Sequence, residues 1–79
     1  GSDEDETSYR ILELLREIVR ASRELIRLSE ELLEVARRDD KDETVLETLI
    51  REYKELLDRY RRLIEELTRL VEEYEERSR

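Results

Sequence analysis

The sequence contains no cysteine, histidine, proline or methionine, and its only glycine is Gly1. Without cysteine the chain can form no disulfide, and without histidine and cysteine the usual nucleophilic triads cannot form within it. Bundle di-metal sites need inward Glu-x-x-His pairs, and phosphate-binding loops need several glycines, so both kinds of site are excluded. We therefore expect no enzyme, no metal and no cofactor.

Long apolar runs and an excess of positive charge are also missing. No stretch approaches the roughly 20 apolar residues that cross a membrane. The net charge of −8 argues against nucleic acid or an anionic membrane as a partner, and we expect no small-molecule partner. The opening Gly1-Ser2 without methionine is typical of a scar that protease cleavage of an expression tag leaves. We accordingly expect no natural location, and expression as a soluble recombinant protein in the cytoplasm.

The chain is rich in charged and aliphatic side chains. Of its 79 residues, 51% are charged and 37% are hydrophobic, which is typical of long amphipathic helices and coiled coils. Only twelve residue types occur, and fourteen of the sixteen basic residues are arginine. A chain of this length forms one domain at most, so residues 1–79 are expected to make a single unit.

A first helix is predicted over about residues 3–38. Its apolar residues fall into four columns of seven-residue spacing, which together cover an arc of about 160°. Three of the columns are aliphatic: Ile11, Ile18, Leu25 and Leu32; Leu14, Ala21, Leu28 and Val35; and Leu12, Val19, Ile26 and Leu33. The fourth column lies near the middle of the arc and consists of Ser8, Leu15, Ser22, Ser29 and Ala36.

A second helix is predicted over about residues 44–77, after a charged turn over about residues 39–43. Asp40 or Asp42 is expected to cap it. Its three columns cover about 100°: Leu49, Leu56, Leu63 and Leu70; Ile50, Leu57, Ile64 and Val71; and Leu46, Tyr53, Tyr60, Leu67 and Tyr74. The short turn favours antiparallel neighbours, and the strict seven-residue repeat favours a left-handed supercoil. The predicted fold class is all-α, an antiparallel helical hairpin.

Serine and tyrosine occupy matching positions on the two predicted helices. If the chain turns near Lys41, facing residues have numbers that add to 82. This rule predicts three hydroxyl pairs: Ser8 with Tyr74, Ser22 with Tyr60, and Ser29 with Tyr53. Because unpaired buried hydroxyls are costly, the pairing indicates a buried network in which tyrosine donates to serine, and serine donates to the carbonyl four residues earlier. The plainer interpretations are small serines that let helices approach, and tyrosines whose hydroxyls reach water.

The apolar arc of the first helix is wider than one neighbouring helix can cover. A lone hairpin would expose a long apolar band, which small proteins commonly cover by oligomerising. Two hairpins in a four-helix bundle would cover the band. The alternative is a six-helix trimer in which the first helices line the axis. The predicted association core consists of Ile11, Leu14, Leu15, Ile18, Val19, Leu25, Ile26, Leu32, Leu49, Ile50, Leu56, Leu57, Leu63, Ile64, Leu67 and Leu70.

These features resemble computationally designed helical-hairpin bundles that contain buried hydrogen-bond networks. The resemblance covers the whole chain, and it rests on the opening Gly1-Ser2, the following acidic residues, the narrow alphabet, the strict heptads and the hydroxyl columns. It is a resemblance of style without a diagnostic motif. It implies a homodimeric or heterodimeric assembly of hairpins that serves as a building block without a natural role.

Such bundles often also use Asn, Gln or His in their networks, and this chain has none. A different hairpin chain could supply the missing amides, so we expect a synthetic association module that forms one half of a heterodimeric four-helix bundle. Pairing specificity would then come from the Ser/Tyr network. The alternatives are a homodimer or six-helix homotrimer of the same hairpin, and a fragment of a natural helical scaffold, for which a more varied composition is expected.

Overall fold

The chain folds into two long helices that pack against each other. The computed structural model describes residues 2–40 and 42–79, with side chains from residue 5 onward, so Gly1 and the predicted turn centre Lys41 lie outside the described residues. Helix α1 spans Ser2–Arg37 and helix α2 spans Glu43–Arg77. The described residues contain no strand. The all-α prediction is confirmed, and both helix ranges lie within one residue of those predicted.

Helix α2 begins where Asp42 caps it. Asp42 is in an extended conformation with φ −89° and ψ 116°, and its carboxylate accepts a hydrogen bond of 2.8 Å from the Thr44 backbone N–H. Glu43 in the first turn adds negative charge at the positive end of the helix. At the other end, the Ser78 N–H donates to the Tyr74 carbonyl at 3.1 Å. Of the two predicted caps, the structure uses Asp42.

Two polar contacts between the helices show that they run antiparallel in nearly the predicted register. Arg77 Nη1 donates to Thr7 Oγ1 at 2.8 Å, and Arg10 Nη2 donates to Glu66 Oε1 at 3.0 Å. The residue numbers of these pairs add to 84 and 76, on either side of the predicted 82. The hairpin is a rod of 60 × 15 × 14 Å. Its thickness is that of two helices and no more.

The contact between the helices uses one edge of the apolar arc of α1. The buried apolar residues of α1 form a single column: Leu14, Ala21, Leu28 and Val35. From α2, Leu63 is buried with them, and Leu56, Tyr60, Leu67 and Leu70 pack against this cluster. We expected the serine column to face α2, but its members are only half-buried or exposed. The column one residue earlier takes that place, because leucine and alanine fill the contact without a polar group to satisfy.

Candidate association surface

One long side of the hairpin carries exposed aliphatic side chains from both helices. We call this side the open face and define it by its exposed members: Leu12, Leu15, Val19, Ile26, Leu33, Ile50, Ile64 and Tyr74. Leu12 is 54% exposed and Ile26 is 59% exposed, far more than core leucine and isoleucine tolerate. Half-buried Leu57 and Val71 continue the open face along α2.

The geometry of antiparallel helices places these residues on the same side. Going round the axis of α1 in one direction from its contact with α2, one meets the columns of Leu14, Ile11, Leu15 and Leu12 in that order. On α2 the same sense leads from Leu56 to Tyr60 and then to Leu57. Because the two helices run in opposite directions, equal rotation of each away from their mutual contact brings both apolar arcs to the same side of the rod. The eight members of the open face therefore lie on one side of the rod, whereas exposed Tyr9 and Val45 lie off it.

The opposite side of the hairpin is charged. A groove there is lined by Glu17, Arg20, Ala21, Glu24, Leu56 and Arg59. Along the same side, the hydrogen bond and the negative charge of Glu66 raise the pKa of Arg10 above its ordinary value. The hydrogen bond and the positive charge of Arg27 lower the pKa of Glu24. These exposed ion pairs suit contact with water, in contrast to the apolar side chains of the open face.

The accessible surface shows how much cover is needed. The hairpin has an accessible surface of 6347 Å² at a mass of 9.7 kDa. A compact monomer of this mass is expected to expose about 5,100 Å². The excess is about 1,200 Å². For comparison, each partner in a specific protein interface typically buries about 800 Å².

On α1 the open face contains a shallow groove of ≈ 330 Å³, which is lined by Leu12, Leu15, Arg16, Val19, Arg20 and Arg23. Its floor is aliphatic, and its outer rim consists of arginines. An apolar floor beside a charged rim is the arrangement of protein interfaces.

The predicted serines satisfy their own donors within α1. Ser29 Oγ donates to the Leu25 carbonyl at 2.8 Å, so the predicted bond to the carbonyl four residues earlier is confirmed there. Ser22 Oγ instead donates to the Val19 carbonyl, three residues earlier, at 2.8 Å. Among the residues described, no hydrogen bond joins a serine to a tyrosine. Each bonded serine oxygen keeps its capacity to accept a hydrogen bond.

The tyrosines lie along the edge of the open face. Tyr53 and Tyr60 are half-buried, with Tyr60 packed against the core cluster, and Tyr74 is 37% exposed. Ser8, on the first turns of α1, is half-buried. The rings thus pack within the hairpin, while the serine and tyrosine columns border the same uncovered surface. Any protein that covers this surface has to satisfy the tyrosine hydroxyls.

The predicted association core divides into three groups in the structure. Leu14 and Leu63 are buried inside the hairpin. The half-buried members are Ile11, Ile18, Leu25, Leu32, Leu49, Leu56, Leu57, Leu67 and Leu70. The exposed members are Leu15, Val19, Ile26, Ile50 and Ile64. The predicted core omitted three buried residues, Ala21, Leu28 and Val35, and two exposed members of the open face, Leu12 and Leu33. The heptad columns of the sequence contained all five.

Other kinds of site are not found in the described part of the chain. No described helix is apolar enough over sufficient length to cross a membrane. Within residues 2–40 and 42–79, no three acidic side chains are grouped so that they could hold a metal ion. No protein-family model matches the chain, and neither a curated protein nor a solved structure is significantly similar to it.

Proposed function

We propose that this chain is an association module whose open face packs against a second helical hairpin to give a four-helix bundle. The observation that carries the proposal is the continuous exposed apolar face, to which both helices contribute along the length of the rod. Isolated monomers rarely expose patches of this size. The absence of histidine and cysteine and the restricted alphabet support a structural building block of synthetic origin, as the resemblance implies.

A hairpin suits the open face better than a single helix does. The face spans columns on two helices and follows a rod 60 Å long. A single helix would lie in the groove between α1 and α2 and leave the outer columns of both exposed. A second hairpin of equal length covers both helices at once. The strict heptads of both chains would then give the bundle a left-handed supercoil.

The hydroxyls supply a reason for selective pairing. When a partner covers the tyrosines, their donors need acceptors, and serine oxygens that already donate to their own helix can accept. A wrong register or a wrong partner would leave these hydroxyls unpaired, at a cost larger than the gain from pairing. We propose that the Ser/Tyr columns select the partner in this way, whether it is a different hairpin, as the composition indicated, or a copy.

Native mass spectrometry of the chain alone, and then mixed with other helical hairpins, tests the association. We expect assemblies whose masses are multiples of 9.7 kDa, or a weak mixed state that becomes one defined species when a matched hairpin is added. Circular dichroism at the same concentrations should show helix throughout. A cooperatively folded monomer up to millimolar concentration would mean that the open face needs no partner, and the proposal would be wrong.

Replacing Ser22 and Ser29 together with alanine should leave the helices formed and loosen the choice of partner. Alanine keeps the helix and removes the acceptors on which selectivity depends. Subunit exchange followed by native mass spectrometry measures the fraction of mixed assemblies formed with non-cognate hairpins, and we expect that fraction to rise. Thr48→Ala is the matched control, since its exposed hydroxyl also bonds to a carbonyl of its own helix at 2.9 Å. An unchanged fraction would contradict the role of the serines.

A further inference from the structure

Basic side chains border the middle of the open face on both helices. On α1 the first charged column beyond that of Leu12 contains Arg16 and Arg23. On α2 the first charged column beyond the apolar arc contains Lys54 and Arg61. All four side chains are exposed, and we call them the basic border. Their sign is opposite to that of the whole chain, which carries a net charge of −8.

The four residues alternate between the two helices along the rod. Facing residues have numbers that add to about 80, midway between the sums for the two hydrogen bonds that join the helices. At this register Arg61 lies between the heights of Arg16 and Arg23, and Lys54 follows. The basic border therefore spans roughly 15 Å, the rise of about ten helical residues. Outside that stretch the same two columns contain exposed acidic residues: Glu30, Glu47 and Glu75.

The charge of the basic border is largely uncompensated within the hairpin. In the part of the chain that the structure describes, Arg16, Arg23 and Lys54 form no ion pair. Arg61 reaches the Asp58 carboxylate only at 3.8 Å, and both side chains are about two-thirds exposed. The residues three and four positions from Arg23 are all apolar or basic, so its own helix offers it no carboxylate. These positive charges are available to a partner.

We infer that the open face is covered by a hairpin of different sequence, whose apolar face is bordered by acidic side chains at the height of the basic border. The inference rests on the proposed function and specifies its partner. In a four-helix bundle the columns beside the apolar face flank the seams between hairpins, where ion pairs select the partner. Aspartate or glutamate on the partner meets Arg16 and Arg23 along one seam, and Lys54 and Arg61 along the other.

A second copy of this chain brings the wrong charge in either orientation. With the two-fold axis parallel to the helices, α1 of one copy lies against α2 of the other, which interleaves Arg16 and Arg23 with Lys54 and Arg61. With the axis perpendicular, α1 lies antiparallel to α1. Its midpoint falls between Arg16 and Arg23, so these two face each other across the seam. Like charges across a seam are destabilising and exclude wrong pairings. A copy covers the apolar residues only against this repulsion.

An anionic membrane also attracts apolar residues that have a basic rim. The other charges of the chain oppose that occupant. At the two ends of the basic border, the same columns would bring Glu30, Glu47 and Glu75 to the negative headgroups. The net charge of −8 opposes the approach as a whole. A protein partner can match the sign of the border at each height, so the pattern favours a hairpin.

A variant of this chain serves as the acidic-bordered probe. Arg16→Glu, Arg23→Glu, Lys54→Glu and Arg61→Glu together keep the apolar open face and reverse its border. With the wild-type chain this variant should form a mixed dimer at least about tenfold tighter than the wild-type dimer, because exposed pairs across both seams change from repulsive to attractive. Native mass spectrometry with isotope-labelled wild type measures the fractions. The preference should fade at about 1 M salt, where the Debye length is about 3 Å.

Each other outcome of the mixing experiment contradicts the inference. Random pairing of the two chains, or a wild-type dimer tighter than the mixed dimer, would overturn it and leave the proposed association intact. Helical monomers in every mixture would overturn both. Vesicles of phosphatidylglycerol and phosphatidylcholine test the membrane. If they bind the wild-type chain and not the acidic-bordered variant, the basic border serves a lipid surface and the inference is wrong.

Neutral borders give a second measurement that needs no charge reversal. Arg16→Gln, Arg23→Gln, Lys54→Gln and Arg61→Gln together should strengthen self-association about fivefold, because repulsion across the seams is removed. This gain is expected although the net charge of the chain becomes more negative. Sedimentation equilibrium measures it.

The matched control for the neutral border removes the same amount of charge from exposed positions off the open face. It replaces four arginines with glutamine: Arg38, Arg59, Arg62 and Arg69. We expect this control to self-associate no more tightly than the wild-type chain, and circular dichroism checks that both variants stay helical. An equal effect of the two variants would show that the position of the basic border is irrelevant, and the inference would be overturned.

Discussion

Replacing Val19 and Ile26 together with lysine should convert the assembly into single hairpins. Both side chains belong to the open face, where they are 46% and 59% exposed in the hairpin. Full burial of such a side chain is worth about 1.5–3 kcal/mol, so covering the exposed half is worth about 0.7–1.5 kcal/mol, and an assembly of two copies loses four such contributions. The expected loss of about 3–6 kcal/mol weakens association by about two to four orders of magnitude. Burial of the introduced ammonium groups would add to the loss.

Analytical ultracentrifugation across a concentration series measures this change, and circular dichroism reports the helix content that remains. The matched control combines Glu55→Lys and Arg62→Lys, which changes the net charge by the same amount and keeps the seven-residue spacing. Both control positions are exposed and lie off the open face. We expect the control to keep the wild-type mass. Retention of that mass by the Val19 and Ile26 variant would show that another surface mediates assembly.

Replacing Leu14 with alanine should destabilise the hairpin by about 2–5 kcal/mol. Leu14 is 0% exposed and lies in the cluster with Ala21 and Leu63 at the contact between α1 and α2. The change removes buried methyl groups and leaves a cavity that two rigid helices cannot fill. Because native domains are stable by only about 5–15 kcal/mol, this loss is large for so small a chain. Urea denaturation followed by circular dichroism measures it.

Leu12→Ala removes the same atoms two residues away, from a side chain that is half exposed in the hairpin. We would measure this change in a chain that also carries Val19→Lys and Ile26→Lys, so that association is suppressed. There Leu12→Ala should lower the free energy of unfolding by under about 1 kcal/mol, because little buried area is lost. Leu14→Ala should retain its larger cost there. If that variant does not fold, the wild-type background serves, where the Leu12 change should raise the dissociation constant of the assembly measured by analytical ultracentrifugation. Equal costs in either background would place the helix contact on a different column.

The local structure could be predicted from the sequence because its causes are local. The seven-residue spacing of aliphatic residues, the lack of proline and of internal glycine, and the acidic segment before Glu43 are enough to place two helices and a turn. The choice of Asp42 over Asp40 as the cap was left open, since both carry the required carboxylate. It depends on which residue takes the extended backbone conformation at the start of α2.

The rotation of α1 about its own axis was decided only by the tertiary structure. Four columns of α1 satisfy the helical period equally well, and counting residues from the turn brought the serine column to α2. In the fold the Leu14 column takes that place, because close packing against Leu56 and Leu63 outweighs the residue count. The serines then lie beside the open face with their donors bonded to Val19 and Leu25.

The sequence by itself determined the helices, their antiparallel order and the excess of apolar surface on α1, because these follow from spacing and from chain connectivity. Only the packing of the two helices decided which apolar columns are buried within the hairpin and which remain exposed on the open face. That choice depends on contacts between residues such as Leu14 and Leu63, which are distant in the chain. Interactions of this kind compete across the whole contact, so no local pattern can rank them.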